Sequence, residues 1–141
     1  EIGTYCGYSA VLMAIAAPEA HITSVEVDPT HVIIARNVIA LAGLCHRIDV
    51  WTGHSKAVLP RLASRHSGVG GLSYSALFMD RWGSQYHEDF PVLERHDLLH
   101  GRAVVIADNL LRTGAPLFLW HVVGTGTYRT EVVRVTEIAS E

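Results

Sequence analysis

The stretch HITSVEVDPTHVIIARNVIALAG (His21–Gly43) sets how the rest of the chain reads. Its first part, HITSVEV, is short, rich in β-branched residues and closes on Glu26-Val27-Asp28-Pro29. That composition predicts a strand whose C-terminal end carries an acid. From Thr30 the apolar residues fall at Val32, Ile33, Val38, Ile39 and Leu41, with Gly43 as a stop. This spacing predicts a helix. A strand running directly into a helix is the repeating unit of a parallel α/β sheet.

The same alternation continues on both sides. Upstream, EIGTYCGYSA (Glu1–Ala10) reads as the end of a strand and a glycine turn. It leads into a helix over Ser9–Ala16, with Ser9 as N-cap and Pro18 as stop. Downstream, RIDVWTG is a strand and SKAVLPRLASR a helix that Pro60 bends or shortens. HSGVGG is a loop, and YSALFMD (Tyr74–Asp80) a buried strand ending on an acid. HEDFPVLERHDLLHG is expected to be a helix broken or started by Pro91, with His100 near its C-terminal end. RAVVIADN is a strand ending in Asp108-Asn109, APLFLWHVVG a short helix and TYRTEVVRV a last strand. There is no internal repeat. The expected fold is α/β, a doubly wound and mostly parallel sheet in a single domain spanning residues 1–141. The sheet is expected to be incomplete at both ends, because the first strand is represented only by its last residues.

Composition narrows the function. A chain of 141 residues with 49% hydrophobic content suits one domain with a sizeable core. The net charge of -3, with basic residues scattered, argues against a nucleic-acid partner. AVLMAIAA is about eight residues, far short of the roughly 20 that cross a bilayer, and it lacks a signal peptide's basic flank. A soluble, cytoplasmic protein is expected. Cys6 and Cys45 are too few for a disulfide framework and read as unpaired thiols in a reducing compartment. Trp51 and Trp120 are expected to be core or half-buried aromatics.

In doubly wound sheets, ligands bind beyond the carboxyl ends of the strands. Glu1, Glu26, Asp80, Asp108 and Asn109 all fall at such ends. The turn Gly3-Thr4-Tyr5-Cys6-Gly7 does not have the G-x-G-x-x-G spacing that admits a pyrophosphate. Glu26, at the end of the next strand, suits the two hydroxyls of a ribose. A nucleoside without phosphates fits both features, and S-adenosylmethionine is the leading candidate. Asp80, Asp108 and Asn109 offer hard oxygen donors, which suit Mg²⁺ or Ca²⁺ better than zinc. An open site of this kind lowers the pKa of a bound hydroxyl. His96 and His100 have a zinc-compatible i, i+4 spacing on the expected helix, but no third ligand is spaced to join them.

EIGTYCGYSA, SVEVDP, GHS, LFMDRW and IADNLLRTGAP, in this order, resemble the motifs of the catechol O-methyltransferase family. The resemblance implies a class I methyltransferase with a Rossmann-like fold. It also implies methyl transfer from S-adenosylmethionine to one hydroxyl of a Mg²⁺-chelated catechol or related phenol. Asp80, Asp108 and Asn109 would then be the metal ligands, with Asn109 also touching substrate. Glu26, with Val27 beside it, would hold the ribose. Glu1, Gly3, Tyr5 and Ser9 would surround the methionine portion, and Gly53, His54, Ser55 and Lys56 would border the adenine. Asp80 and Trp82 would touch the cofactor, and Arg81-Trp82 stands where the family has His-Trp.

Two departures qualify this picture. The family's general-base lysine falls at Gly83, and Lys56 is the only lysine in the chain; water or His87 is left to take the proton. Lys56 itself replaces a glutamine, and an ammonium cannot accept a bond from the adenine amino group. A substrate-orienting glutamate is matched by Glu137. The expected activity is therefore impaired methyl transfer. The alternatives are a non-catalytic methyltransferase-like binding protein and the related caffeoyl-CoA type of O-methyltransferase.

Overall fold

The computed structural model describes residues 1–66 and 73–135. Its strands are β1 (Ile22–Glu26), β2 (Ile48–Thr52), β3 (Tyr74–Met79) and β4 (Leu99–Ala107). Its α-helices are α1 (Tyr8–Ala16), α2 (Pro29–Leu41), α3 (Ser55–His66), α4 (Tyr86–Arg95) and α5 (Pro116–Gly124). β1 pairs with β2 and β3 with β4, both in parallel. The two pairs are joined by a single residue, Ile2, which bridges in parallel to Val25 on one side and Met79 on the other. The order across the sheet is thus β2, β1, Ile2, β3, β4. From Ile2 the chain builds outward to β2, then returns to build β3 and β4 on the other side. That reversal opens a crevice at the C-terminal ends between Ile2 and β3.

Successive strand residues face opposite sides, so each face meets its own helices. Ile48 and Val50 pack with Ala10 and Ala14 of α1 and with Val32, Ala35 and Ile39 of α2. On the other face Val25, Leu77 and Met79 join Val58, Leu59 and Leu62 of α3, Phe90 and Leu93 of α4, and Phe118 of α5. The doubly wound expectation holds, and the strands and helices begin within a few residues of their expected places.

Local details differ from the sequence reading. α1 starts one residue before Ser9, behind Gly7 in a left-handed conformation, so Ser9 is inside the first turn and is not the cap. Pro60 and Pro91 both lie within helices and end neither. α4 stops at Arg95 because Asp97 takes φ 50°, a turn usually left to glycine, and the Leu98 N–H returns to Leu93 O at 3.0 Å. His100 therefore belongs to β4, and His96 and His100 do not share a helix face. The segment 127–135 contains no strand: no described strand pairs with it, and Val133 and Val135 are exposed. Trp51 is half-buried with the guanidiniums of Arg61 and Arg65 over its ring, whereas Trp120 is 79% exposed. Cys6 is half-buried and Cys45 exposed, both free. Most of HSGVGG lies outside the described residues. No helix among those described is long and apolar enough to cross a membrane.

Candidate active site at the switch point of the sheet

The glycine turn after Ile2 sits in the crevice, and its conformation depends on its residue types. Gly3 has φ 105°, and a Cβ there would lie 2.0 Å from the carbonyl oxygen of Asp80. Gly7 has φ 84°, and a Cβ there would press on Ala35 of α2 at 3.2 Å. Only glycine allows the turn to approach both β3 and α2 so closely. Glu26, 8% exposed at the end of β1, organises the turn. Its Oε2 accepts from the Thr4 and Tyr5 N–H groups at 3.1 and 2.9 Å, and its Oε1 from the Asp28 N–H at 2.9 Å. Glu1 accepts from the hydroxyls of Ser9 and Ser24. Burial pushes the Glu1 carboxyl up, while those two hydrogen bonds oppose the shift.

Across the crevice stand the acids of β3 and β4. Met79 pairs with Ala107, and the Asp108 N–H donates to Met79 O at 2.9 Å, so the next residues along, Asp80 and Asp108, emerge together. Burial first, and then the charge of Asp108, raise Asp80 above the usual carboxylate range. Asp108 Oδ1 accepts from the Asn109 N–H at 2.6 Å, and Asn109 takes φ 59°, which Asn tolerates. Gly3, Thr4, Tyr5, Cys6, Tyr8, Ser9 and Asp80 line one cleft of ≈ 320 Å³. Asp80, Arg81, Trp82 and Asn109 line a second of ≈ 370 Å³. Asp80 belongs to both, so the two clefts adjoin.

The donor set fits a hard divalent cation. Two carboxylates at adjoining strand ends, with Asp80 raised by burial and by the charge of Asp108, and a neighbouring amide oxygen are the chemistry such an ion relieves. Among the described residues no group of three His, Cys, Asp or Glu side chains forms an alternative centre.

Below the clefts a polar network joins α3, α4 and the end of β3. Arg81 Nη1 donates to Asp89 Oδ2 at 2.8 Å and to Ser55 Oγ, which in turn donates to Asp89 Oδ1. Asp89 is completely buried. Lys56 pairs with Glu88 beside it. Tyr86, also fully buried, points its hydroxyl at the carbonyls of Met79, Arg81 and Asp108. Burial pushes that phenol up to about 12, so it remains a hydroxyl at neutral pH.

The structure thus gathers Glu1, Gly3, Tyr5, Ser9, Glu26, Asp80, Trp82 and Asn109 at one rim, with Asp108 adjoining. Val27 and His54 are exposed near it, and Gly53 is tied to Glu26 by a backbone bond of 2.8 Å. Ser55 and Lys56, expected at the adenine, bond Asp89 and Glu88 of α4 through their side chains. Glu137 lies outside the described residues. Gly83 is buried, and a Cβ there would meet Gly114 O at 3.3 Å and Ala115 Cβ at 3.4 Å. Thr4, Tyr86 and Asp89 escaped the sequence reading: an isolated Thr, Tyr or Asp in a helical or turn pattern carries no spacing signal.

A parallel sheet that reverses order beside a glycine turn, with acids at its strand ends, defines a ligand-binding α/β protein of the doubly wound class. The chain belongs to the O-methyltransferase family, whose profile matches residues 1–137. It is 40% identical to catechol O-methyltransferase of Sus scrofa over 129 residues, covering 91% of this chain and 68% of that protein. It is 38% identical to the Homo sapiens protein called transmembrane O-methyltransferase, covering 92% of this chain and 44% of that protein. The crystal structure of the O-methyltransferase from Bacillus cereus in complex with SAH superposes with a TM-score of 0.77 at 22% identity. That match covers 87% of this chain and 60% of the other, and it shows the shared fold. The chain therefore spans about half to two thirds of the length of these relatives.

Proposed function

We propose that this chain forms the cofactor- and metal-binding core of an S-adenosylmethionine-dependent O-methyltransferase acting on a catechol or related phenol. The observation that carries the reading is Asp80, shared by the two adjoining clefts. One cleft, beside the glycine turn, suits a nucleoside sulfonium; the other, between Asp80 and Asn109, suits a chelated hydroxyl. Asp80, Asp108 and Asn109 would hold Mg²⁺, and Glu26 and the Gly3 turn would hold the cofactor. When bound, the cofactor supplies an electrophilic methyl group and the metal acidifies the hydroxyl that receives it.

Binding and orientation fall to the chain's own residues. Glu26 already receives three backbone N–H groups, out of about four lone-pair sites on a carboxylate. A ribose therefore shares Glu26 with the turn or displaces one amide from it. Asp80 gives the cleft a negative wall that attracts a cationic sulfonium, and Glu1 adds its charge from behind Ser9. Trp82, 80% exposed at the lip, offers an aromatic edge to a flat substrate. Gly83 supplies no base, and the space a lysine stem would enter is bounded by Gly114 and Ala115. Positioning and charge stabilisation remain, and loss of a general base costs a factor of roughly 10² to 10⁴.

Gly83→Lys tests the reading. Methyl transfer to a catechol should rise toward that factor while cofactor affinity stays unchanged, provided the Gly114 carbonyl moves by a few tenths of an ångström. If both forms bind the cofactor and neither transfers methyl, the enzyme reading fails. The closed space at Gly83 favours a second reading, a methyltransferase-like protein that binds the cofactor without catalysis. Calorimetric titration with S-adenosylmethionine and Mg²⁺, alongside the same assay, separates the two.

A further inference from the structure

We propose that Tyr86 is a positioning residue for the metal site, its hydroxyl setting the separation of the two acidic turns. The proposal rests on the metal-dependent reading above and adds a residue to it. The Tyr86 hydroxyl lies 2.8 Å from Met79 O, 2.9 Å from Arg81 O and 3.1 Å from Asp108 O. It also accepts from the Arg81 N–H at 3.0 Å. Met79 and Arg81 flank Asp80 in the chain, so one oxygen brackets Asp80 on both sides and reaches Asp108 on the next strand. A hydroxyl has a single proton to share among three carbonyls. The arrangement draws three backbone oxygens toward one point, and with them the turns that carry Asp80 and Asp108.

The ring is anchored independently of those turns. It opens α4, directly after the 3-10 turn Gly83–Gln85, and packs edge-on against Phe118 with centroids 5.8 Å apart. Phe90, one turn along α4, meets the same Phe118 at 5.3 Å. Tyr86 therefore acts as a fixed post rather than a follower of the strand ends. A small divalent cation tolerates little error in oxygen placement, and removing groups that orient metal ligands typically weakens binding about 10- to 100-fold.

The test titrates Mn²⁺, a paramagnetic substitute for Mg²⁺, into the full chain and follows water-proton relaxation. Tyr86→Phe keeps the ring and removes the oxygen. It should weaken Mn²⁺ binding about 10- to 100-fold, with S-adenosylmethionine affinity retained. Ile39→Val, which loosens the separate core on the other face of the sheet, should leave Mn²⁺ affinity unchanged. Wild-type affinity in Tyr86→Phe, or equal weakening in Ile39→Val, overturns the proposal. A measurement on the unmutated chain serves if Tyr86→Phe does not fold. The Tyr86 Cζ resonance should shift on saturation with Mg²⁺, and an unmoved resonance overturns the proposal as well. If the unmutated chain binds no metal, the metal-dependent reading falls and takes this proposal with it. Metal binding that is indifferent to Tyr86 overturns this proposal alone.

Discussion

Asp28 sits at the junction of β1 and α2 and caps the helix, its Oδ1 accepting from the Thr30 N–H at 2.7 Å. That bond holds the Asp28 carboxyl below its ordinary value of 3.8. A group lowered in the folded state adds stability that is fully present above its unfolded pKa. The contribution is lost as pH falls through the folded value. Replacing Asp28 by Asn removes the titration and keeps a capping side chain. Urea midpoints of the two forms should therefore differ at pH 7 in favour of Asp28 and converge only as pH falls below the lowered folded-state value of Asp28. A gap that stays constant across that range would show that the carboxylate charge is irrelevant to the cap. Two residues upstream, Glu26 has the sterner constraint. It serves the turn's backbone before it can serve any ligand.

At the scale of elements, α3 and α4 are joined at their N-termini by the cluster of Arg81, Ser55 and Asp89, with Lys56–Glu88 beside it. Asp89 is fully buried and the Arg81 side chain is 17% exposed. Removing one partner of a buried pair leaves the other charge without compensation and typically costs 3–5 kcal/mol. Arg81 keeps some contact with water, so Asp89→Ala should cost about 3 kcal/mol, read as a fall in the denaturant midpoint at unchanged slope. A loss below about 0.5 kcal/mol, the scale of an ordinary surface change, would mean that the pair is decorative. The same cluster fixes where Arg81 leaves β3, and with it the wall of the second cleft. The Lys56–Glu88 pair is more exposed and adds little by comparison.

At the scale of the whole molecule, the sheet leaves much apolar surface in water. Val104 and Ile106 of β4 are 59% and 56% exposed, and Leu12 and Ile15 of α1 are 47% and 62% exposed. Surface of this kind stabilises a fold only when something covers it. The 141-residue chain by itself should melt with low cooperativity below about 45 °C, the lower edge of the mesophilic range. Calorimetry would contradict this with a single sharp transition above that temperature.

The alternation of elements was legible because strand and helix periods are local properties. β-branched runs, helical spacing of apolar residues and a glycine stop each act within a few residues. The acids at the strand ends were legible for the same reason, since a strand's C-terminal residue can be read from where its pattern stops. Asp97 defeated the reading of α4 because a non-glycine residue in a left-handed turn is stabilised by its surroundings. The segment around Val132 reads as a strand by composition, yet a strand exists only where a neighbour pairs with it. By itself, the sequence determined the α/β order, the glycine turn and the acids at the rim. Only the tertiary structure decided that Ile2 joins the two halves, that Ser55 and Lys56 turn toward α4, and that one buried tyrosine oxygen gathers the acidic turns. Those are contacts between residues distant in the chain, and they depend on packing, which no local pattern encodes.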